Sequence, residues 1–130
     1  MIKIFVNGSF DIVHLGHIAL LNFAKSQGDH LTVGIDSDSR IKQLKGEARP
    51  INNQVERKTL LENLRSVDNI VIFDTDQELI NLVADCDIMV KGSDYLNKPI
   101  IGSDVCPKIL FFDRIHGYST TEKIQSIANR

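Results

Sequence analysis

Tryptophan is absent and aromatic residues make up only 6% of the chain, so stacking platforms spread over a surface for single-stranded nucleic acid are not expected. Cys86 and Cys106 are too few and too far apart in sequence for a disulfide scaffold or a CxxC site. Both read as small core or near-core residues, with a bridge between them as the remaining option. Neither sign of charge dominates: 15 Lys and Arg against 17 Asp and Glu leave a formal charge of −2, which supplies no global basic field for a long nucleic acid or an anionic membrane. No apolar run approaches the roughly 18–20 residues that span a bilayer as a helix. Met1–Val6 carries Lys3 and reaches Asn7-Gly8 before a signal-peptide stretch is built, so a cytoplasmic protein is expected.

What is present suits a packed core. Over 130 residues, 42% are hydrophobic and 25% charged, which predicts a single domain spanning residues 1–130 without low-complexity segments, fixed-period repeats or an internal linker. Ile2–Val6, Leu31–Ile35, Ile70–Phe73, Asp87–Lys91 and Ile109–Phe112 read as strands, all rich in Ile, Val, Leu or Phe. Between them lie helical patterns over Gly16–Ser26, Asp36–Leu44, the residues after Asn53, those after Thr75, and those after Ser119. Asn53 with Glu56, Thr75 with Glu78 and Ser119 with Glu122 have capping-box spacing. Near-continuous apolar strands alternating with helices predict an α/β fold with a parallel sheet covered on both faces. Ligands of such sheets collect at the carboxyl ends of the strands.

The first strand is followed by Gly8-Ser9-Phe10-Asp11 and then by His14-Leu15-Gly16-His17 at the mouth of a helix. Two imidazoles and a glycine at a helix N-terminus, with its unpaired N–H groups, suit a triphosphate, which favours donor or cationic imidazoles. One histidine capping the helix or packing in the core is the alternative, and zinc a third reading in which His-x-x-His is half a site. Asp11 also suits a turn cap. Asp36, after the second strand, suits a sugar hydroxyl or a helix cap. Lys42, Lys45 and Arg49 suit either phosphate or a solvated loop face, and Arg57 on its own suits a surface ion pair with Glu56 or Glu62. Gly92-Ser93-Asp94 is ordinary turn chemistry as well as a candidate site. Arg114, Ser119, Thr120 and Thr121 offer a guanidinium and hydroxyls at a second helix N-terminus, where Ser119 and Glu122 suffice as a cap.

Gly8–Asp11 with His14–His17 closely resembles the G-x-F-D-x-x-H-x-G-H signature of the cytidylyltransferase-like nucleotidyltransferases, in particular the heptose 1-phosphate adenylyltransferases and the glycerol-3-phosphate cytidylyltransferases. The resemblance extends over nearly the whole chain. Lys42–Asn52 is similar to K-x-L-K-G-x-x-R-P-[IV]-N of the heptose enzymes, Lys91–Tyr95 to K-G-x-D-Y, and Arg114–Thr121 to R-x-x-G-x-S-T-T. It implies a Rossmann-like five-stranded sheet and transfer of a nucleoside monophosphate, AMP before CMP, from ATP or CTP with Mg²⁺ to a sugar 1-phosphate, with loss of pyrophosphate. It implies catalytic roles for His14, His17, Lys45 and Arg114. Gly8, Ser9, Phe10, Asp11, Gly16, Arg57, Lys91, Gly92, Asp94, Gly117, Ser119, Thr120 and Thr121 are implied at the nucleotide, with Asp11 on the metal side. Ser93, His116 and Glu122 depart from the family's commoner residues. A non-catalytic nucleotide-binding module and another phosphate-handling enzyme remain the competing classes. Small-molecule partners, a homodimer, and no nucleic acid or membrane are expected. The length is expected to hold the transferase alone, with any upstream phosphorylation on a separate chain.

Overall fold

The computed structural model describes residues 1–113 and 119–130. Its strands are β1 (Lys3–Gly8), β2 (His30–Asp36), β3 (Asn69–Phe73), β4 (Ile88–Gly92) and β5 (Lys108–Phe112). They form one sheet in the order β3-β2-β1-β4-β5, and every pairing is parallel. The helices are α1 (Leu15–Ser26), α2 (Asp38–Lys45), α3 (Gln54–Glu62), α4 (Asp76–Ala84) and α5 (Thr120–Ala128), with a 3₁₀ turn at Ser93–Tyr95. This is the expected Rossmann-like α/β architecture, with element ends moved by a residue or two.

Alternation along the strands sends side chains to two cores. Ile4 and Val6 of β1 join Leu31, Val33 and Ile35 of β2 and Val90 of β4 on one face, under Leu21 and Ala24 of α1 and Leu61 of α3. Phe5, Phe73 and Met89 face the other way and meet Leu79 and Val83 of α4 together with Cys86. Gly34 on the central part of β2 leaves room for one of these rings, since a Cβ there would stand 2.7 Å from Phe5 Cζ. Both faces being covered explains why the strands read as continuous apolar runs. The predicted caps form as spaced: Asn53 accepts from the Glu56 N–H at 2.9 Å, Thr75 from Glu78 at 3.1 Å and Ser119 from Glu122 at 3.0 Å. Each is worth about 1 kcal/mol.

Cys86 and Cys106, distant in sequence, are neighbours in space, with free thiols whose sulfurs lie 3.8 Å apart. Burial, reinforced by Cys106, pushes the Cys86 thiol up to about 12, so it is a poor thiolate. Among the described residues no helix is long and apolar enough to cross a membrane.

The strand order reverses at β1, which pairs with β2 on one side and β4 on the other. The connections leave the carboxyl ends of β1 and β4 in opposite directions and open a crevice there.

Candidate active site

The connection from β1 to α1 is held in an unusual shape. Phe10 and Ile12 have φ of 50° and 56°, a left-handed conformation that is strained for a β-branched residue and persists only where its surroundings enforce it. Asp11, between them, supplies much of that enforcement. Its buried carboxylate accepts the backbone N–H groups of Ile51 at 2.8 Å and Asn52 at 2.9 Å, and Arg49 Nε stands 3.6 Å away. Its main-chain carbonyl accepts the Thr120 hydroxyl at 2.5 Å, tying the start of α5 to the same loop. Arg57 completes the frame from α3. This fully buried guanidinium donates to the carbonyls of Ser9 at 2.9 Å, Asp36 at 2.7 Å and Asn52 at 3.0 Å, and to Asp38 Oδ1 at 2.8 Å.

The frame presents two stacked imidazoles, with ring centroids of His14 and His17 3.8 Å apart. His14 is the N-cap of α1, its Nδ1 accepting the Gly16 N–H at 3.1 Å; His17 Nδ1 reaches back to the His14 N–H at 3.2 Å. A capping box made of two histidines consumes one acceptor nitrogen of each ring. With Nδ1 accepting, the ring proton is assigned to Nε2 in each. Capping and phosphate binding, alternatives on the sequence, are thus compatible in one residue. Burial and the adjacent His14 lower the His17 pKa from 6.5 to about 4, against the opposing pull of Asp11. Of the two states open to a phosphate-binding imidazole, this site selects the neutral donor over the cation.

That shift has a consequence for stability. Between pH 6.5 and about 4 the unfolded chain protonates at His17 while the folded chain resists, so stability is to fall as pH drops through this window and level off below it, by on the order of 3 kcal/mol. Urea midpoints at pH 7 and pH 5 check this. His17→Gln is expected to flatten the dependence, and equal slopes in variant and wild type would contradict it.

Two cavities adjoin these elements. The first, about 230 Å³, has His14, Gly16 and His17 on one side, Lys91, Gly92, Asp94 and Tyr95 on another, and Ser119 and Thr120 at the start of α5. Val6, Leu20, Val90 and Phe112 give it apolar walls. The second, about 250 Å³, takes in Gly8, Ser9 and Asp36 at the ends of β1 and β2, Arg40 and Lys45 of α2, Leu79 of α4 and the segment Pro99–Ile101. Asn7, Lys91 and Tyr95 line both. Arg40 is committed to carboxylates, donating to Asp36 and Asp76 at 2.8 Å each. Partial desolvation and the nearby Arg49 pull Lys45 below its ordinary value, with Asp36 and Asp11 acting in the opposite direction.

Most of the residues singled out in the sequence reach these cavities. His14, Gly16, His17, Gly92, Asp94, Ser119 and Thr120 line the first, Gly8, Ser9 and Lys45 the second, and Lys91 both. Arg114 and Gly117 lie outside the described residues. Four others lie outside both linings. Arg57 faces neither cavity and makes no surface ion pair with Glu56 or Glu62; its fork is spent on carbonyls and Asp38. Asp11, expected on the metal side, is buried with both carboxylate oxygens holding backbone N–H groups. Phe10 is also buried, beneath Gly8 and beside His17 at a centroid distance of 5.0 Å. Thr121 is exposed and lies outside both linings. Among the described residues no group of three or more His, Cys, Asp or Glu could hold a metal ion. The sequence reading missed Asn7, whose signal was its place as the polar side chain directly before Gly8 at the end of an apolar strand.

A Rossmann-like sheet with imidazole N–H donors and a helix N-terminus at its switch point suits a phosphate-bearing ligand. The chain belongs to the cytidylyltransferase-like family, whose model matches residues 5–122, and it is accordingly a nucleotidyltransferase. It is 48% identical over 124 residues to the bifunctional protein HldE of a Nitratiruptor species, a match covering 94% of this chain and 27% of that one. Identity to the protein of the same name from Campylobacter jejuni subsp. doylei is 45% over 129 residues, covering 98% of this chain and 28% of that one. The chain thus spans about a quarter of the length of these curated relatives. Among solved structures, the lipopolysaccharide core biosynthesis protein from Thermoplasma volcanium superimposes with a TM-score of 0.73 at 29% identity, covering 88% of this chain and 98% of that one.

Proposed function

We propose that the chain transfers AMP from ATP to a sugar 1-phosphate, heptose 1-phosphate in particular, and releases pyrophosphate. The observation that carries this reading is the pair of cavities meeting at Asn7, Lys91 and Tyr95. A group transfer between two anions needs two adjoining sites with a shared wall, whereas a nucleotide-binding module needs only one.

The first cavity suits the nucleotide. Its apolar walls accept base and ribose carbon, and the Nε2–H groups of His14 and His17 with the Ser119 hydroxyl suit triphosphate oxygens. The second suits the acceptor, with Asp36 accepting from sugar hydroxyls and Lys45 facing its phosphate. An acceptor phosphate oxygen then attacks the α-phosphorus in line. The new oxygen–phosphorus bond forms as the bond from the α-phosphorus to the bridging oxygen breaks, and pyrophosphate departs with the electron pair. No covalent enzyme intermediate is needed, since a phosphate monoester is already ionised and nucleophilic near neutral pH. The imidazole donors stabilise charge gathering on the leaving group. Magnesium enters as part of the ATP substrate.

Similarity to the HldE proteins over nearly all of this chain supports the heptose acceptor. A homodimer belongs to the same reading, as Leu15, Ile51 and Val55 each expose more than half their surface and a second copy would cover apolar area of this kind.

The deciding experiment crosses ATP, CTP, GTP and UTP with heptose 1-phosphate and glycerol 3-phosphate and reads pyrophosphate and product mass. ATP with heptose 1-phosphate is expected to give the fastest release and an ADP-heptose mass. Pyrophosphate released without acceptor, or orthophosphate alone, would point instead to a hydrolase.

A further inference from the structure

Lys91 closes β4 with only 8% of its surface exposed. Its position follows from the sheet. Phe5 of β1 is in register with Met89 of β4, and two residues further along each strand stand Asn7 and Lys91, on the same face by the period-two rule. The ammonium donates to Asn7 Oδ1 at 3.1 Å and lies 4.3 Å from the centre of the Tyr95 ring. Among the described residues it has no carboxylate partner within ion-pair distance and no other hydrogen-bond acceptor. An ammonium carries three N–H donors, so this one is buried with donor capacity left over, an arrangement unfavourable for the empty protein and characteristic of functional sites. It is also the only Lys or Arg among the described residues lining the first cavity, and it lines the second as well. Burial lowers its pKa, while Asp36 and Asp94 draw it back up.

We infer that Lys91 is a catalytic residue that touches both substrates at once, its ammonium bridging a non-bridging oxygen of the nucleotide α-phosphate in one cavity and the acceptor phosphate in the other. The inference rests on the two-cavity reading above and deepens it. Asn7 and the Tyr95 ring fix the head group at the wall where the cavities meet. From there it offsets repulsion between the approaching anions and follows the charge on the α-phosphoryl oxygens into the transition state. Neutral His17 cannot supply that charge, and Arg40 is already paired with Asp36 and Asp76.

The test uses Lys91→Met and Lys91→Arg with ATP, with the two diastereomers of ATP carrying sulfur on the α-phosphate, and with heptose 1-phosphate. Methionine preserves length and apolar bulk, and a matching urea midpoint verifies folding. Lys91→Met is expected to lower kcat at least roughly tenfold, a conservative figure for one charged transition-state contact. It should also weaken the acceptor KM and erase the wild-type preference between diastereomers, which a purely structural lysine would not set. Lys91→Arg should retain part of that preference. Near-normal kcat, or an intact preference in Lys91→Met, overturns the assignment. Calorimetry with ATP separates the two ideas. If the wild type binds ATP and transfers to neither heptose 1-phosphate nor glycerol 3-phosphate, the acceptor reading falls, and with it the bridging role. If the wild type transfers and only the Lys91 result is negative, the reading stands and this inference falls.

Discussion

His17→Ala is expected to lower kcat by roughly 10²–10³-fold, the scale set by one aligned donor to a transition-state oxygen, while leaving a folded protein. The reason lies in how the ring is held. With Nδ1 bound to the His14 N–H and the ring stacked on His14 and tilted against Phe10, Nε2–H has little freedom, so its hydrogen bond to phosphate requires little reorganisation. Its depressed pKa of about 4 keeps it neutral under working conditions, so the contribution is a directed donor rather than a charge. Truncation also removes half of the capping box, a stability loss of about 1 kcal/mol. Turnover at saturating substrates alongside a urea melt distinguishes the two effects. Turnover within a few-fold of wild type, with the melt lowered, would mean that His17 serves the helix alone.

The spacing of His14 and His17 around Gly16 located the helix mouth because its cap depends on residues within one turn. The same locality made the caps at Asn53, Thr75 and Ser119 legible, and made the strands visible, since burial on both faces leaves an unbroken apolar run. What stayed hidden depends on residues far apart in sequence. Arg57 sits in the ordinary polar run Gln54-Val55-Glu56-Arg57-Lys58, where nothing local announces a guanidinium enclosed by the ends of β1 and β2 and by Asn52. Asp11 lies in a motif that points to ligands, yet its partners are the amides of a loop forty residues on. A carboxylate can bind a cation or bridge two loops, and composition within a motif does not separate these uses. The second cavity was equally illegible, because α2, α4 and Pro99–Ile101 come together only through the crossovers of the sheet.

Arg57→Ala is expected to destabilise the protein by about 3–5 kcal/mol, the range for breaking a buried, paired charge by removing one partner. The loss has several sources. The carbonyls of Ser9, Asp36 and Asn52 and the Asp38 carboxylate lose a shared donor, and acceptors left buried retain the full desolvation penalty of about 1–3 kcal/mol each where water cannot reach them. A void the size of a large side chain opens beside Leu61 and the adjoining core. Arg57→Lys is not expected to restore the wild type. A single ammonium on a flexible stem cannot replace a planar fork that addresses three carbonyls and a carboxylate from different directions. The two substitutions should therefore both lower the urea midpoint well below that of wild type, with lysine recovering only part of the loss. Equilibrium unfolding decides the matter: a change below about 1 kcal/mol for alanine would assign the network little weight and restore a ligand-facing role to Arg57. The frame also supports the site. Ser9 and Asp36 line the second cavity with their positions set partly through Arg57, so any Arg57→Lys protein that folds should bind the acceptor more weakly, raising its KM more than that of the nucleotide, whose imidazole donors are held by their own helix cap.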